Sequence, residues 1–587
     1  MRAQVNRLET LTGLRFLAAA AVVFTHTQSL GFLELVGLPG LAERVPLGGA
    51  GVTFFFVLSG FILTYVYPRL ATAGEVGRFL LARFARLWPA NLVGLVASMV
   101  AFDCLFWPDP QVAFPPLTRL LVHAAMLESW YPSFQMVMCY NAPAWSISAE
   151  FGFYLFFIPL IWNWSRSWWW KLPLTLAAPL ALVAVAAARG WTTAVPPGHV
   201  NYEIALYFTP VMRLWQFAVG MAAALAWQRL CRGRRVGLAA GTALELAAAG
   251  LAVAACLLSA DAGRAAAAVP WLGPPASYFV YQCGGLTVVP FALLIVTFAN
   301  RWGLASWPFA TAPAVFLGEI SFGVYILHFP LMIYFTSHIL EYRGLPRWAL
   351  FAGYWAILLG ASAWLYATVE RPARRWIVGR WPAGGFAGPR AAAAALARSP
   401  APWWTGGTLA LLGLVTAFAL RAHEATFRFL NRDRVAREIK FAPPATRDVR
   451  FGDDFLLRGA TLHRVPGGIE LRAVWESLRL QPPGFKVWVQ GLESAYASGE
   501  GIWTIYCWPP MLAGPVQAGW VWEHRVFIPQ DKLDAAPQVV MVVLNKGETG
   551  LLPVYGPFPE NPYRLRVIPT PVLPAPADGV AINTPKR

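Results

Sequence analysis

Two residues in the first apolar stretch, "LTGLRFLAAAAVVFTHTQSLGF" (Leu11 to Phe32), have side chains able to do chemistry: Arg15 and His26. A guanidinium stays charged at any working pH and suits an anionic ligand such as a phosphate-bearing cofactor. A neutral imidazole can take a proton from a hydroxyl, because its pKa lies near working pH. If the stretch is helical, the spacing of the two residues brings them to within roughly 20° of one direction. They then stand about 16 Å apart along the axis, so they can line one cavity from its two ends. An ionisable residue inside a bilayer is costly and marks a functional site by default. The plain alternative is that Arg15 snorkels to the interface and His26 bonds to a neighbouring helix.

Other polar residues interrupt apolar runs in the same way. "RFLLARFARLWP" sets Arg83 and Arg86 three apart on one helical face, in the loop expected after the second run. They could cradle a phosphate, although loop arginines also set topology. "PAWSISAEFGFY" brings Trp145, Ser146, Ser148 and Glu150 to the start of the fourth run, where an acid is expensive. "PVMRLWQFAVG" places Arg213 inside the sixth, and "GEISFGVYILHFP" adds Glu319, Tyr325 and His328 in the ninth. Any one of these could be an interhelical hydrogen bond and nothing more. Five such clusters in separate runs together point to a site.

The elements that must hold these residues follow from composition. Of 587 residues, 57% are hydrophobic and only 13% charged, about half the charged share of a soluble protein. The apolar residues fall into runs near 12–31, 50–67, 90–107, 144–163, 172–189, 205–227, 236–258, 277–299, 315–338, 348–368 and 404–420. Each approaches the length that crosses a hydrocarbon core. The reading is a polytopic α-helical membrane protein with eleven spans. The run 120–129 is too short and reads as re-entrant or interfacial. A net charge of +17 would suit nucleic acid, but the basic residues sit in short loops between apolar runs, as orientation signals do; no nucleic acid is expected. They favour one side, with Arg69, Arg78, Arg166, Lys171, Arg229 and Arg232 among them, against Arg44, Arg119, Arg189, Arg264, Arg343 and Arg347 on the other. The amino terminus is therefore expected in the cytoplasm and, after an odd number of spans, the carboxyl-terminal region outside. Met1 to Thr10 is polar and does not read as a cleavable signal. The six cysteines show no zinc spacing, and no metal is expected. Cys104 and Cys139 share one outer loop; sequence leaves a disulfide between them open, since geometry decides it.

Past residue 421 the pattern changes to short alternating segments, "FLLRGATLHRV", "GIELRAVWESL", "FKVWVQGL", "EHRVFIP" and "VVMVVLN", punctuated by "VPGG" and "QPPG". This is the signature of an all-β antiparallel sandwich. The organisation expected is a core over 8–380, a cytoplasmic linker over 381–403, the eleventh helix over 404–420 and a connector over 421–445. An extracytoplasmic β-sandwich over 446–568 and a Pro-rich, disordered tail over 569–587 follow. The module holds Trp475, Trp488, Trp503, Trp508, Trp520 and Trp522. Indoles of this kind either stack on sugar rings or fill a sandwich core, and sequence leaves both open.

In order along residues 8–380, "GLRFLAAAAVVFTHT", "GVTFFFVLSGFIL" with "RFARLWP", "WSISAEFGFY", "RLWQFAVG", "ISFGVYILHFP" and "VERPARRW" resemble the motifs of the membrane acyltransferase 3 family. The resemblance implies a ten-helix acyltransferase core, to which this chain adds the eleventh helix and the sandwich. It implies transfer of an acyl group, most often acetyl from acetyl-CoA as co-substrate, to a hydroxyl of an extracytoplasmic glycan, across a bacterial cytoplasmic (inner) membrane. His26 is then the catalytic histidine, Arg15 its partner, and Arg83 and Arg86 hold the CoA phosphates. Trp145, Ser146, Ser148 and Glu150 line the route, with Arg213, Tyr325 and His328 from the later motifs. Gln216 departs from the pattern, which often carries an acid there. Some members carry an exported hydrolase-like domain with a Gly-Asp-Ser nucleophile; here "FGDD" has Asp454 in that serine's place, so a second catalytic domain is not expected. A transporter or flippase using Arg15 and His26 as substrate or proton-relay sites is the reading from another class, and an inverted repeat would favour it; the sequence shows none. A third is a membrane anchor for the sandwich. The glycan and the oligomeric state are not legible.

Overall fold

The computed structural model describes residues 8–38, 40–102, 116–131, 134–138, 140–191, 202–337 and 345–379 of a helical unit. Of a second unit it describes 447–451, 453–465, 468–478 and the strands given below. The helices that matter to the site are α1 (Glu9–His26), α2 (Leu47–Val66), α3 (Ala73–Phe102), α4 (Trp145–Ile161), α5 (Trp164–Ala188) and α6 (Pro210–Ala226). They continue with α7 (Leu238–Leu257), α8 (Gly273–Tyr281), α9 (Val288–Asn300), α10 (Ala312–Ser337), α11 (Arg347–Leu365) and α12 (Arg371–Gly379).

Among the described residues, seven helices are long and apolar enough to cross a membrane: Leu47–Val66, Ala73–Met99, Ala142–Ile161, Trp164–Ala188, Leu238–Leu257, Ala312–Phe335 and Arg347–Gly379. The chain is an integral membrane protein built on these. Three more of the expected runs are helical but fall short of that standard, each for a visible reason. Helix α1 is diluted by Glu9, Arg15 and His26, and α6 is 17 residues long. The run 277–299 is broken where Gly284, at φ +71° in the left-handed region that favours glycine, turns the chain between α8 and α9. The expected spans are therefore interrupted chiefly where polar or glycine residues intrude. The eleventh run, 404–420, the linker, the connector and both Cys104 and Cys139 lie outside the described residues.

Burial sorts these helices. Of the apolar window of α2, 78% is buried, against 28% for α5 and for α7. Helix α2 is the axis of the unit, while α5 and α7 present Leu174, Leu180, Leu244, Leu251 and Val253 outward, as lipid-facing helices do. Trp162, Trp169, Trp271, Trp307 and Trp348 are exposed near helix ends, where interfacial indoles belong. The axis is gripped by glycine. A Cβ at Gly60 would stand 2.0 Å from the carbonyl oxygen of Phe217, and one at Gly220 2.0 Å from that of Val57. The backbones of α2 and α6 thus touch in both directions, which only small residues allow. Helix α10 meets α1 as closely, a Cβ at Gly318 falling 1.8 Å from the Thr12 oxygen.

Two basic residues expected to act as loop charges are built into the fold instead. Lys171 is buried, and its Nζ donates to the carbonyls of Pro159, Leu160 and Trp162 at 2.9, 3.0 and 2.6 Å, capping the end of α4. Arg119 is 4% exposed. On the opposite sign, the buried Glu245 of α7 accepts from the Gly303 and Ser306 amides, each at 2.9 Å, and from the Ser306 hydroxyl at 2.7 Å. That carboxylate ties down the turn before α10.

The regular elements of the second unit, among the described residues from 447 on, are β-strands apart from a helical residue at Gln530. Strands β1 (Val449–Phe451), β2 (Phe455–Val465), β3 (Gly468–Ser477), β4 (Lys486–Leu492), β5 (Trp503–Cys507), β6 (Val521–Pro529), β7 (Gln538–Leu544), β8 (Val554–Tyr555), β9 (Leu565–Ile568) and β10 (Val572–Leu573) form two sheets. One runs β6-β3-β2-β1-β8, with β10 added parallel to β2; the other runs β5-β4-β7-β9, antiparallel throughout. The β2–β3 register pairs Val465 with Gly468, placing the reversal at the expected "VPGG". Trp475 is 1% exposed with its ring 5.1 Å from Phe451, so this indole fills the interior rather than facing a ligand.

Candidate active site

Helix α4 carries Ser146, Glu150 and Tyr154 on successive turns of one face, about 12 Å from first to last. They form one wall of a cavity of about 260 Å³ closed by α1, α2, α3 and α10. Arg15, Arg83, Arg86, Ser146, Glu150 and Tyr325 all line it. Arg83 and Arg86 belong to α3, which begins at Ala73 and runs unbroken past Pro89. They are therefore helical residues aimed into the unit and not a cytoplasmic loop, as the sequence reading had placed them.

One end of the cavity is charged. Glu150 accepts hydrogen bonds from Ser59 at 2.9 Å and from Tyr154 at 2.6 Å. Arg15 and Arg86 lie in the field of Glu150 and of Glu370, and Arg374 lies beside Arg83 and Arg86. Glu370 belongs to a single π-helical turn, Tyr366–Glu370, between α11 and α12; such turns re-aim a side chain within a helix. Arg83 is buried, stacks 5.6 Å from the Tyr67 ring, and leaves its Nε without a hydrogen bond. Arginines outnumber the acids, and planar forks with unused donors suit phosphate oxygens.

The other end is neutral and fully organised. The Ser146 hydroxyl lies 2.7 Å from the Tyr325 hydroxyl, and both reach the Pro143 carbonyl at 3.1 Å. The backbone oxygen of the same Tyr325 receives His328 Nδ1 at 2.6 Å, and His328 Nε2 stands 2.9 Å from His26 Nδ1. A carbonyl can only accept, so His328 Nδ1 carries the proton. In the neutral ring Nε2 is then bare and accepts from His26 Nδ1–H. The His26 ring also meets the Val22 backbone, and in this tautomer Nε2 is its unprotonated nitrogen. The Tyr354 hydroxyl donates to the His328 carbonyl at 2.9 Å and fixes the backbone there.

The expected single chamber is thus divided. Arg15 lines the cavity; His26 is not among its lining residues and is joined to it through His328 and Tyr325. Ser148 and Trp145 serve another purpose: the Ser129 amide donates to the Ser148 hydroxyl at 3.1 Å, and the Ser129 hydroxyl donates to the Trp145 carbonyl. Arg213 sits behind Phe56, outside the lining. Sequence reading missed Ser59, Tyr154, Glu370 and Arg374. The four-residue spacing from Glu150 to Tyr154, and the acid followed by arginines in "VERPARRW", were the available signals.

Beside the Ser129 clamp, Glu128 is fully buried and neither carboxylate oxygen has a hydrogen-bond partner. Burial raises its pKa to about 8 and lowers that of nearby-in-sequence His123 to about 4. Between pH 4.5 and about 8 the folded chain keeps the Glu128 proton and the unfolded chain does not, so this group makes stability fall as pH rises. His123, neutral when folded, works the other way from about 4 to its ordinary 6.5, which leaves the fall unopposed from about 6.5 to 8. Glu128→Gln should flatten the slope between about pH 6.5 and 8 in thermal unfolding of the purified protein; parallel wild-type and variant profiles would refute it.

A multi-helix membrane unit with a cavity lined by arginines and hydroxyls, and a histidine pair linked to it through Tyr325, is an arrangement suited to group transfer at a membrane. A profile of the acyltransferase domain matches residues 8–367; the chain belongs to the acyltransferase 3 family and is an acyltransferase. It is 31% identical over 406 residues to the acyltransferase MdmB of Streptomyces mycarofaciens, covering 65% of this chain and 95% of that protein. It is 25% identical over 387 residues to the peptidoglycan O-acetyltransferase OatA of Listeria monocytogenes, covering 62% of this chain. It is 29% identical over 237 residues, 37% of this chain, to nodulation protein 10 of Rhizobium leguminosarum. The alignments span 56% and 60% of the last two relatives. No solved structure matches.

Proposed function

We propose that the chain moves an acyl group, acetyl by preference, from cytoplasmic acyl-CoA to a hydroxyl of an extracytoplasmic glycan across the bacterial inner membrane. In this reading the core has ten spans with the amino terminus in the cytoplasm. The eleventh exports the β module, which faces the glycan.

The observation that carries the reading is the layout of one cavity, cationic at one end and ending at Ser146 and Tyr325, whose backbone anchors the histidine pair. The donor set fits acyl-CoA. Arg15, Arg83 and Arg86, with Arg374 beside them, offer guanidinium forks to its phosphates, and the chamber between them and Ser146 admits the thioester arm. Bound there, acyl-CoA supplies the activated carbonyl. His26 Nε2 receives the proton of the acceptor hydroxyl as its oxygen attacks that carbonyl. The ester forms as the thioester C–S bond breaks, and the imidazolium returns the proton to the departing thiolate, which leaves as free CoA. His328 holds His26 in the tautomer that leaves this nitrogen bare and stabilises the imidazolium that forms. Glu150, braced by Ser59 and Tyr154, holds Arg15 and Arg86 in place.

Labelled acetyl-CoA binding to the purified protein tests the arginine assignment. Arg15→Ala and Arg86→Ala should each weaken it about tenfold or more, since a hydrogen bond to a charged group contributes about 1.5–3 kcal/mol. Unchanged binding in both would return these residues to a structural role.

A further inference from the structure

Arg213 is the strangest residue in the helical unit. It is 0% exposed, and Nε, Nη1 and Nη2 all lack a hydrogen-bond partner. Its guanidinium lies 5.0 Å from the Tyr207 ring and 5.7 Å from the Phe56 ring, and the polar group it reaches is the thiol of Cys283, a weak acceptor that cannot stand in for an oxygen counter-ion. Aromatic faces soften the loss of water around a cation but do not replace its hydrogen bonds. An unpaired buried charge destabilises the fold, so its retention points to a counter-ion that arrives with a ligand.

A second orphan stands on the same face of α6. Gln216, three residues on, is also 0% exposed; its Nε2 donates to the Cys283 carbonyl at 2.5 Å, which fixes the amide, and its Oε1 has no partner. Donors without an acceptor and an acceptor without a donor lie one helical turn apart. Around them stand aromatic rings: Trp145 is 4.9 Å from Tyr207 and 6.2 Å from Phe56. Phe56 itself lines the cavity that holds Ser146 and Glu150, so a single ring separates the guanidinium from that chamber.

We propose that Arg213 and Gln216 form an anion-binding subsite for the acceptor, which makes the acceptor an acidic, hydroxyl-bearing molecule. Arg213 takes the oxyanion of a carboxylate or phosphate in its fork, Gln216 Oε1 accepts from a neighbouring hydroxyl, and the aromatic rings cover the apolar face of the ring system between them. Movement of the Phe56 ring joins this subsite to the cavity. The proposal rests on the acyltransferase reading, whose donor-side arginines are separate residues.

The test is thermal unfolding of the full chain in detergent with sodium glucuronate, inorganic phosphate or glucose, beside labelled acetyl-CoA binding. Glucuronate should raise the wild-type midpoint by several degrees if the anion is a sugar carboxylate, and phosphate should do so if it is a phosphate ester; glucose should not. Arg213→Met should unfold at a higher temperature than wild type without ligand and show no anion response, because it removes an uncompensated charge. Gln216→Glu, which supplies a carboxylate one turn away at nearly equal shape, should also abolish the response. It carries the test if the Met variant fails to accumulate. Acetyl-CoA binding should persist in both variants. A lower midpoint for Arg213→Met, a response to neither anion, or an anion response that survives Gln216→Glu overturns the subsite. Loss of acetyl-CoA binding by the wild type would instead overturn the donor-side reading.

Discussion

Replacing His26 by alanine should lower acyl transfer by about 10²–10⁴-fold, the usual contribution of a positioned general base. Acetyl-CoA binding should not change, because the cationic end of the cavity is lined by Arg15, Arg83 and Arg86 and not by His26. The separation of the two effects is the diagnostic feature. A variant that lost binding and transfer together would mean that the imidazole helps hold the donor. His328→Gln should show a smaller loss in transfer, since it keeps a hydrogen-bonding group in place of the ring that stands 2.9 Å from His26 but no longer dictates one tautomer. Ester content of the cell-surface glycan, read by mass spectrometry, gives the same comparison in cells. Full ester retention in a strain whose only copy is His26→Ala would remove His26 from the mechanism.

The second large effect is structural. Gly60→Ala and Gly220→Ala should each lower the unfolding midpoint and the yield of folded protein sharply, because each Cβ would meet a backbone oxygen at 2.0 Å. Backbone cannot swing aside as a flexible side chain can, so α2 and α6 must separate. Overpacking of this kind costs about 1–3 kcal/mol and sometimes more. Both substitutions force the same separation, so the double variant should lose less than the sum of the singles. Strict additivity in unfolding free energies would show that the two contacts yield independently. Activity should fall with stability, since Ser59 adjoins Gly60 and Phe56 faces Arg213 across the same crossing.

Much of this was legible in sequence because the polar residues stand out against an apolar background. Arg15, Ser146, Glu150 and Tyr325 were found by that contrast, and the structure brings them to one cavity. Helical phase alone suggested that Arg15 and His26 share a chamber. Phase gives direction but not depth: His26 is not among the residues lining the cavity, and it connects to the cavity residue Tyr325 through His328 and the Tyr325 backbone oxygen. Arg83 and Arg86 were read as loop residues because hydropathy marks where a helix becomes apolar and not where it begins; α3 starts at Ala73, well before its apolar run. Lys171 looked like an orientation signal because a count of charges cannot show three carbonyls converging on one ammonium. In the β unit, "FLLRGATLHRV" coincides with β2 and "FKVWVQGL" with β4 within a residue, since alternation and flanking turns are local. The short strands β8 and β10 left no such pattern, because two residues cannot alternate.

The thinly covered helices α5 and α7 have a consequence for how such proteins diverge. Their outward leucines and valines meet a solvent that accepts any aliphatic side chain, so only composition is constrained there and residue identity is free to drift. Relatedness in this architecture is therefore written on the inward faces, and the outer rim is the natural place to attach a reporter or a tether without disturbing turnover.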